Sequence, residues 1–199
     1  VIFLGGQVTN NGDINARLVK MVGAKGATIT FGSDVLGIES ESIDGASVAS
    51  FVENSGTITA SQITLEAYAA ADILASAVNS GTLQATGIST IGGEIRLIAS
   101  SGDADVAASV TNSGSLSATS GASIVIEADK VTLASGTAIS ATGTAATDTT
   151  TEVLAGTIKV TTDSLDVSGA APEYNALNLE GVNALSIDIV DKTGVIDSS

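Results

Sequence analysis

The chain has no cysteine, no histidine, no tryptophan and a single proline, Pro172. Each absence removes a class of chemistry. Without cysteine there is neither a disulfide framework nor a thiolate metal site. Without histidine as well, Ser–His–Asp and Cys–His catalytic groups and histidine-based zinc sites are excluded. Basic residues are scarce: seven Lys and Arg stand against 22 Asp and Glu, a formal net charge of −15. Nucleic acid and anionic lipid need clustered Lys and Arg, so neither is an expected partner. Aromatics make up 3% and comprise Phe3, Phe31, Phe51, Tyr68 and Tyr174, a thin supply of platforms for sugar rings. No GxxxxGK[ST] phosphate loop occurs. The opening VIFLGG is too short for a signal-peptide core or a membrane span. The chain therefore reads as a processed exported protein or as a piece of a larger one.

What is present is small and aliphatic. Hydrophobic residues reach 44%, mostly Ala, Val, Ile and Leu, alongside 22 glycines. A mean hydropathy of +0.41 argues against the disorder that high negative charge would otherwise suggest. Small β-branched and aliphatic side chains suit thin, closely stacked layers.

Repetition carries the most information. VTNSGSLSAT, from Val110 to Thr119, is echoed by VENSGTITAS from Val52 and VNSGTLQAT from Val78, and loosely by VTNNGDINA from Val8. Ala71–Gly87 aligns without gaps on Ala104–Ser120 with ten of 17 positions identical. Between these copies lies a second motif, QITLEA (Gln62–Ala67), EIRLIA (Glu94–Ala99) and SIVIEA (Ser123–Ala128), with ATITFG (Ala27–Gly32) as a looser relative. Each alternates apolar with other residues, as a strand with one buried face should. Turn glycines fall at Gly12, Gly56, Gly81, Gly114 and Gly136, in steps of 44, 25, 33 and 22. The step of 44 fits two coils of 22, and that of 33 carries an insertion near GISTIGG.

These observations predict an all-β fold, a right-handed parallel β-helix (β-solenoid) of roughly 20–25 residues per coil and about seven to nine coils. One domain spans residues 1–199, with 142–152 as a protruding polar loop and 172–199 as less regular closing coils. Stacked coils place equivalent residues in ladders. Ile58, Leu83 and Leu116 are expected to form an inward ladder, with Ala60, Ala85 and Ala118 two residues later on the same face. Asn54, Asn79 and Asn112 are expected to stack as a side-chain amide ladder. Gly56, Gly81 and Gly114 supply the corner beside it, where glycine reaches backbone angles that cost other residues energy. Strand alternation reaches close to both ends, which predicts continuation by further coils or end-to-end association of copies.

The opening VIFLGGQVTNNGDINA, followed by GATITFGSDVLGI, resembles the region just beyond the secretion domain of filamentous-haemagglutinin-type exoproteins. The recurrent V-x-N-S-G-T-I-x-A … I-x-L-x-A cadence is similar to the β-helical shaft of these two-partner-secretion adhesins. The resemblance covers most of Val1 to Ala141, and the secretion domain's Asn-Pro-Asn-Gly signature is absent. It implies a non-catalytic structural or adhesive segment on the bacterial surface or outside the cell. It also implies a host-surface or matrix glycan or protein receptor, and an outer-membrane transporter. The alternatives are a self-assembling extracellular filament or surface-layer subunit, and a carbohydrate-active β-helix enzyme.

Such an enzyme would need paired carboxylates. The candidate pairs are Asp103/Asp105, Asp163/Asp166 and Glu39/Glu41. Solvated charges at turns or outward strand positions are the favoured reading of them, and Asp72 and Asp105 occupy equivalent repeat positions. The expectation is no enzyme and no cofactor. Calcium is a lesser candidate, with oxygen ligands at Asp34, Glu39, Glu41, Asp44, Asp103 and Asp105, although neither stretch follows an EF-hand or the glycine-rich nonapeptide.

Overall fold

Alternation of apolar with small polar residues lets a strand bury one face and keep the other in water. A computed structural model describes residues 1–31, 38–44, 49–70, 73–87, 92–102, 105–134, 137–142, 156–167, 173–175, 186–191 and 196–197. In chain order the first strands are β1 (Ile2–Gly5), β2 (Gln7–Asn10), β3 (Asp13–Asn15), β4 (Leu18–Gly23), β5 (Gly26–Phe31), β6 (Ile38–Asp44), β7 (Ser50–Asn54) and β8 (Thr57–Ala60). Next come β9 (Gln62–Ala69), β10 (Ala75–Asn79), β11 (Thr82–Thr86), β12 (Glu94–Ser101), β13 (Ser109–Asn112), β14 (Ser115–Thr119) and β15 (Ser123–Glu127). The last are β16 (Lys130–Leu133), β17 (Ala138–Ala141), β18 (Thr157–Thr162), β19 (Ser164–Asp166), β20 (Glu173–Asn175), β21 (Ser186–Asp191) and β22 (Ile196–Asp197). No helix occurs among the described residues.

Apart from the β5–β6 hairpin, the strands visit three parallel sheets in strict rotation. Sheet A is β1-β4-β9-β12-β15-β18-β21, sheet B is β2-β7-β10-β13-β16-β19-β22, and sheet C is β3-β8-β11-β14-β17-β20. Every neighbour pair within these sheets is parallel and in register. The arrangement is all-β and consistent with a parallel β-solenoid.

The core is a set of ladders running through the stack. From sheet C come Ile58, Leu83, Leu116 and Ile139, register partners in turn and all fully buried. Ala60, Ala85, Ala118 and Ala141 form the next row on the same face, also buried. Sheet A contributes Val19, Ile63, Ile95, Ile124 and Ile158, and behind them Met21, Leu65, Leu97, Ile126 and Val160. Sheet B supplies smaller groups: Val52, Ala77, Val110 and Val131. With so few aromatics, the interior is filled by like side chains lying on like.

Two expectations are corrected. The segment ATITFG does not join the repeat: it falls in β5, which pairs antiparallel with β6 in a separate two-stranded sheet. The parallel partner of QITLEA is instead LVKMVG, with Val19 opposite Ile63 and Met21 opposite Leu65. The 44-residue step is likewise one rotation, because Val8 pairs directly with Val52 and Ile14 with Ile58. Its extra length is the β5–β6 hairpin and its connections, so two coils of 22 are not what separates Gly12 from Gly56. The insertion near GISTIGG does separate two strands: one residue joins β8 to β9, whereas residues 87–93 join β11 to β12. The 142–152 loop lies outside the described residues except Thr142, as does Pro172; of 172–199 only β20, β21 and β22 are described, each in parallel register.

The hairpin has a visible effect on sheet A. Lys20 and Val22 alternate with the inward Val19 and Met21, so they lie on the outer face, yet they are only 4% and 0% exposed. The hairpin lies over this region, β5 beside β1 and β6 beside β9. Beneath it the Lys20 ammonium meets the Glu66 carboxylate at 2.9 Å. Removing one member of a buried pair leaves a charge without its partner.

Two stability predictions follow from these contacts. Leu83→Ala should cost about 2–5 kcal/mol, whereas Gln84→Ala on the outer face should stay within about 0.5 kcal/mol, read from urea unfolding midpoints. Lys20→Met should cost about 3 kcal/mol, and adding Glu66→Leu should recover part of that loss rather than add to it.

Candidate functional site

The most specialised side-chain arrangement is the corner between sheets B and C. Here the first four strands of sheet B, β2, β7, β10 and β13, each end in Asn, and two residues later a Gly leads the chain into sheet C. The Asn10 Nδ2 group donates to Asn54 Oδ1 at 2.7 Å, Asn54 to Asn79 at 2.9 Å, and Asn79 to Asn112 at 2.8 Å. The sequence separations are 44, 25 and 33, so the ladder ignores inserted length and holds register alone. Each Nδ2 also donates to a carbonyl two residues on: Gly12, Gly56, Gly81 and Gly114 at 2.9, 3.1, 3.3 and 3.3 Å.

Asn54, Asn79 and Asn112 are completely buried. Burying a carboxamide without partners costs several kcal/mol, so the ladder is tolerable only because it is closed on both donor and acceptor sides. Directionality is uniform: every amide donates toward the C-terminal end of the stack. The row stops at Asn112, whose register partner is Leu133. There the Thr137 hydroxyl takes over the corner, within hydrogen-bond distance of the carbonyls of Ala134 (2.5 Å) and Asn112 (3.1 Å). Gly136 lies outside the described residues.

The corner glycines have a different reason from the one the sequence suggested. None of Gly56, Gly81 and Gly114 has positive φ; among the described residues only Ser120 and Gly121 do, at 69° and 74°. What forbids a side chain is crowding. A Cβ on Gly56 would overlap the backbone oxygen of Gly12, one on Gly81 that of Gly56, and one on Gly114 that of Gly81. Gly is required here so that successive corners can approach one another closely.

The charged candidates are spread over several elements. Asp34 and Asp103 lie outside the described residues. Glu39, Glu41 and Asp44 belong to β6, where Glu41 is opposite Ile29, Asp44 is opposite Gly26, and Glu39 sits at the register shift. Asp105 is exposed at a turn, away from any strand. Asp163 precedes the short strand β19 and Asp166 is its last residue, with the Asp163 amide donating to the Asp129 carbonyl at 3.0 Å. Among the described residues no three of His, Cys, Asp and Glu are grouped to hold a metal.

Two features carried no sequence signal as sites. Asp129 accepts the Ala108 amide on its carboxylate at 2.9 Å, tying the corner between sheets A and B across rotations. Lys20 sits in an otherwise apolar run, and nothing in LVKMVG announces that a hairpin will bury it. The Thr162 hydroxyl, donating to the Ser164 carbonyl at 2.8 Å, could be suspected from its place before a polar turn.

Comparison with known proteins assigns no relative: no family model, no curated protein and no solved structure matches the chain. The arrangement is thus read from its own chemistry, a row of neutral amides and bare backbone that holds rotations together.

The ladder makes a prediction of its own. Asn79→Ala removes one acceptor and one donor pair and leaves buried partners at Asn54 and Asn112 unmet, for a loss of about 3–5 kcal/mol. Gly81→Ala should destabilise comparably although it deletes no hydrogen bond, because backbone must move. Thermal unfolding of both variants beside Ser80→Ala, expected near wild type, checks this.

Proposed function

We propose that the chain is a non-catalytic shaft segment of a secreted or cell-surface bacterial exoprotein of the filamentous-haemagglutinin type, serving adhesion. In this reading it winds as a right-handed parallel β-helix, the hand that parallel connections overwhelmingly adopt. An uninterrupted coil has 20–25 residues, as in the 25-residue step from Asn54 to Asn79, and longer coils carry insertions. The observation that supports the reading most is the closed amide ladder under three sheets of continuous parallel register. Such a construction yields length and stiffness, and its repeated side chains are committed to one another. Missing His and Cys leave only carboxylate chemistry for the enzyme alternative.

The shaft adheres to a host-surface or matrix glycan or protein, after export through an outer-membrane transporter. Two assays on the purified chain test this. Incubation with anionic and neutral polysaccharides should release no reducing ends or unsaturated products. Beads coated with the chain should be retained on matrix proteins or host cells above uncoated beads. Turnover that disappears in Asp105→Asn would replace the shaft reading with the enzyme reading.

A further inference from the structure

We propose that Asn11–Gly12 is a self-modification site, at which Asn11 converts to aspartate and isoaspartate through a cyclic imide, assisted by the Ser55 hydroxyl. Asn11–Gly12 is the single Asn-Gly pair in the chain. Two groups decide whether such a pair reacts: the side-chain carboxamide, which is the electrophile, and the following backbone nitrogen, which attacks it.

Both are available at Asn11 and withheld at the other corners. Asn11 is exposed, and Ser55 Oγ donates to its Oδ1 at 2.8 Å, a shorter contact than the same hydroxyl makes to the Asn10 carbonyl at 3.3 Å. That bond withdraws electron density from Cγ and stabilises the oxyanion that forms on attack. The Gly12 nitrogen has one partner, Asn10 Oδ1, at a long 3.2 Å. By contrast, Asn54, Asn79 and Asn112 are fully buried. The nitrogens that follow them, on Ser55, Ser80 and Ser113, are held at 2.9, 2.9 and 2.8 Å by main-chain carbonyls of the preceding rotation. Those three asparagines are therefore protected by the same ladder that leaves Asn11 outside it.

The step balances without any redox partner. The Gly12 nitrogen forms a bond to Asn11 Cγ, the Cγ–Nδ2 bond breaks, and ammonia leaves with the Gly12 amide proton transferred through solvent. Water then opens either imide carbonyl, giving aspartate or isoaspartate. The isoaspartate form lengthens the backbone by one carbon just before Gly12, whose carbonyl accepts the Thr57 amide at 3.1 Å. The corner between β2 and β3 is thus the place where age of the molecule is recorded and where pairing of β3 with β8 loosens.

The test is incubation of the purified chain in mildly alkaline buffer, followed by peptide mapping by mass spectrometry and enzymatic methyl-labelling of isoaspartate. A mass gain of one amide-to-acid exchange should map to Asn11, with isoaspartate among the products, and not to Asn54, Asn79 or Asn112. Gly12→Ala is accommodated, since a Cβ there meets nothing within 4 Å, and it should slow the conversion strongly while keeping the fold by circular dichroism. Ser55→Ala should slow it about two- to tenfold, the worth of one hydrogen bond. An unchanged Asn11, or conversion of the buried asparagines at a comparable rate, would overturn the site; an unchanged rate in Ser55→Ala would overturn the role of the hydroxyl.

Discussion

The structure depends on one row of amides, Asn10, Asn54, Asn79 and Asn112, the last three fully buried and each of the first three donating to the next. Parallel strands stacked about 4.8 Å apart force equivalent side chains to face their own kind. Aliphatic groups tolerate this. Charges do not: two like unit charges at that spacing repel by about 0.9 kcal/mol in water and several-fold more in a protein interior. A carboxamide is a polar group that can lie on itself, since it carries a donor and an acceptor on opposite sides. The interior of a chain with net charge −15 can therefore include a polar ladder only if that ladder is neutral.

The glycines two residues on are the complement of this row. The amides fix which residue lies over which, and the bare corners let the rotations close to the strand spacing. Either alone would be insufficient: an amide row with side chains at the corner would be held apart, and bare corners without the amides would tolerate slippage. Inserted lengths are then free to vary. Steps of 44, 25 and 33 residues all return to the same ladder, and the longest contains a whole hairpin.

Much of this is written openly in the residues, because a ladder demands near-identity at its rungs. NSG at three corners, and Ile, Leu, Leu two residues beyond each glycine, announce equivalent positions without reference to coordinates. Other features are hidden for physical reasons. ATITFG alternates like any strand, and alternation says nothing about whether a partner runs parallel or antiparallel. Glycine is chosen equally by a left-handed backbone and by a close approach, so Gly81 could not be assigned to the second cause from its identity. Lys20 differs from its neighbours only in charge; its pairing with Glu66 follows from the register of β4 on β9, and it lies buried beside a hairpin that follows it in sequence. The scattered carboxylates gave the least, because acidic residues at turns look the same whether or not they converge.

The amide row can be interrogated directly through its own protons. The side-chain amide exchange rates of Asn54 and Asn79, measured by NMR in water, should be slower by orders of magnitude than that of the exposed Asn15 in the same molecule, and should track global unfolding. Exchange of Asn54 and Asn79 at the rate of Asn15 would mean that the amides are not locked together, and that something other than this ladder holds the rotations in register.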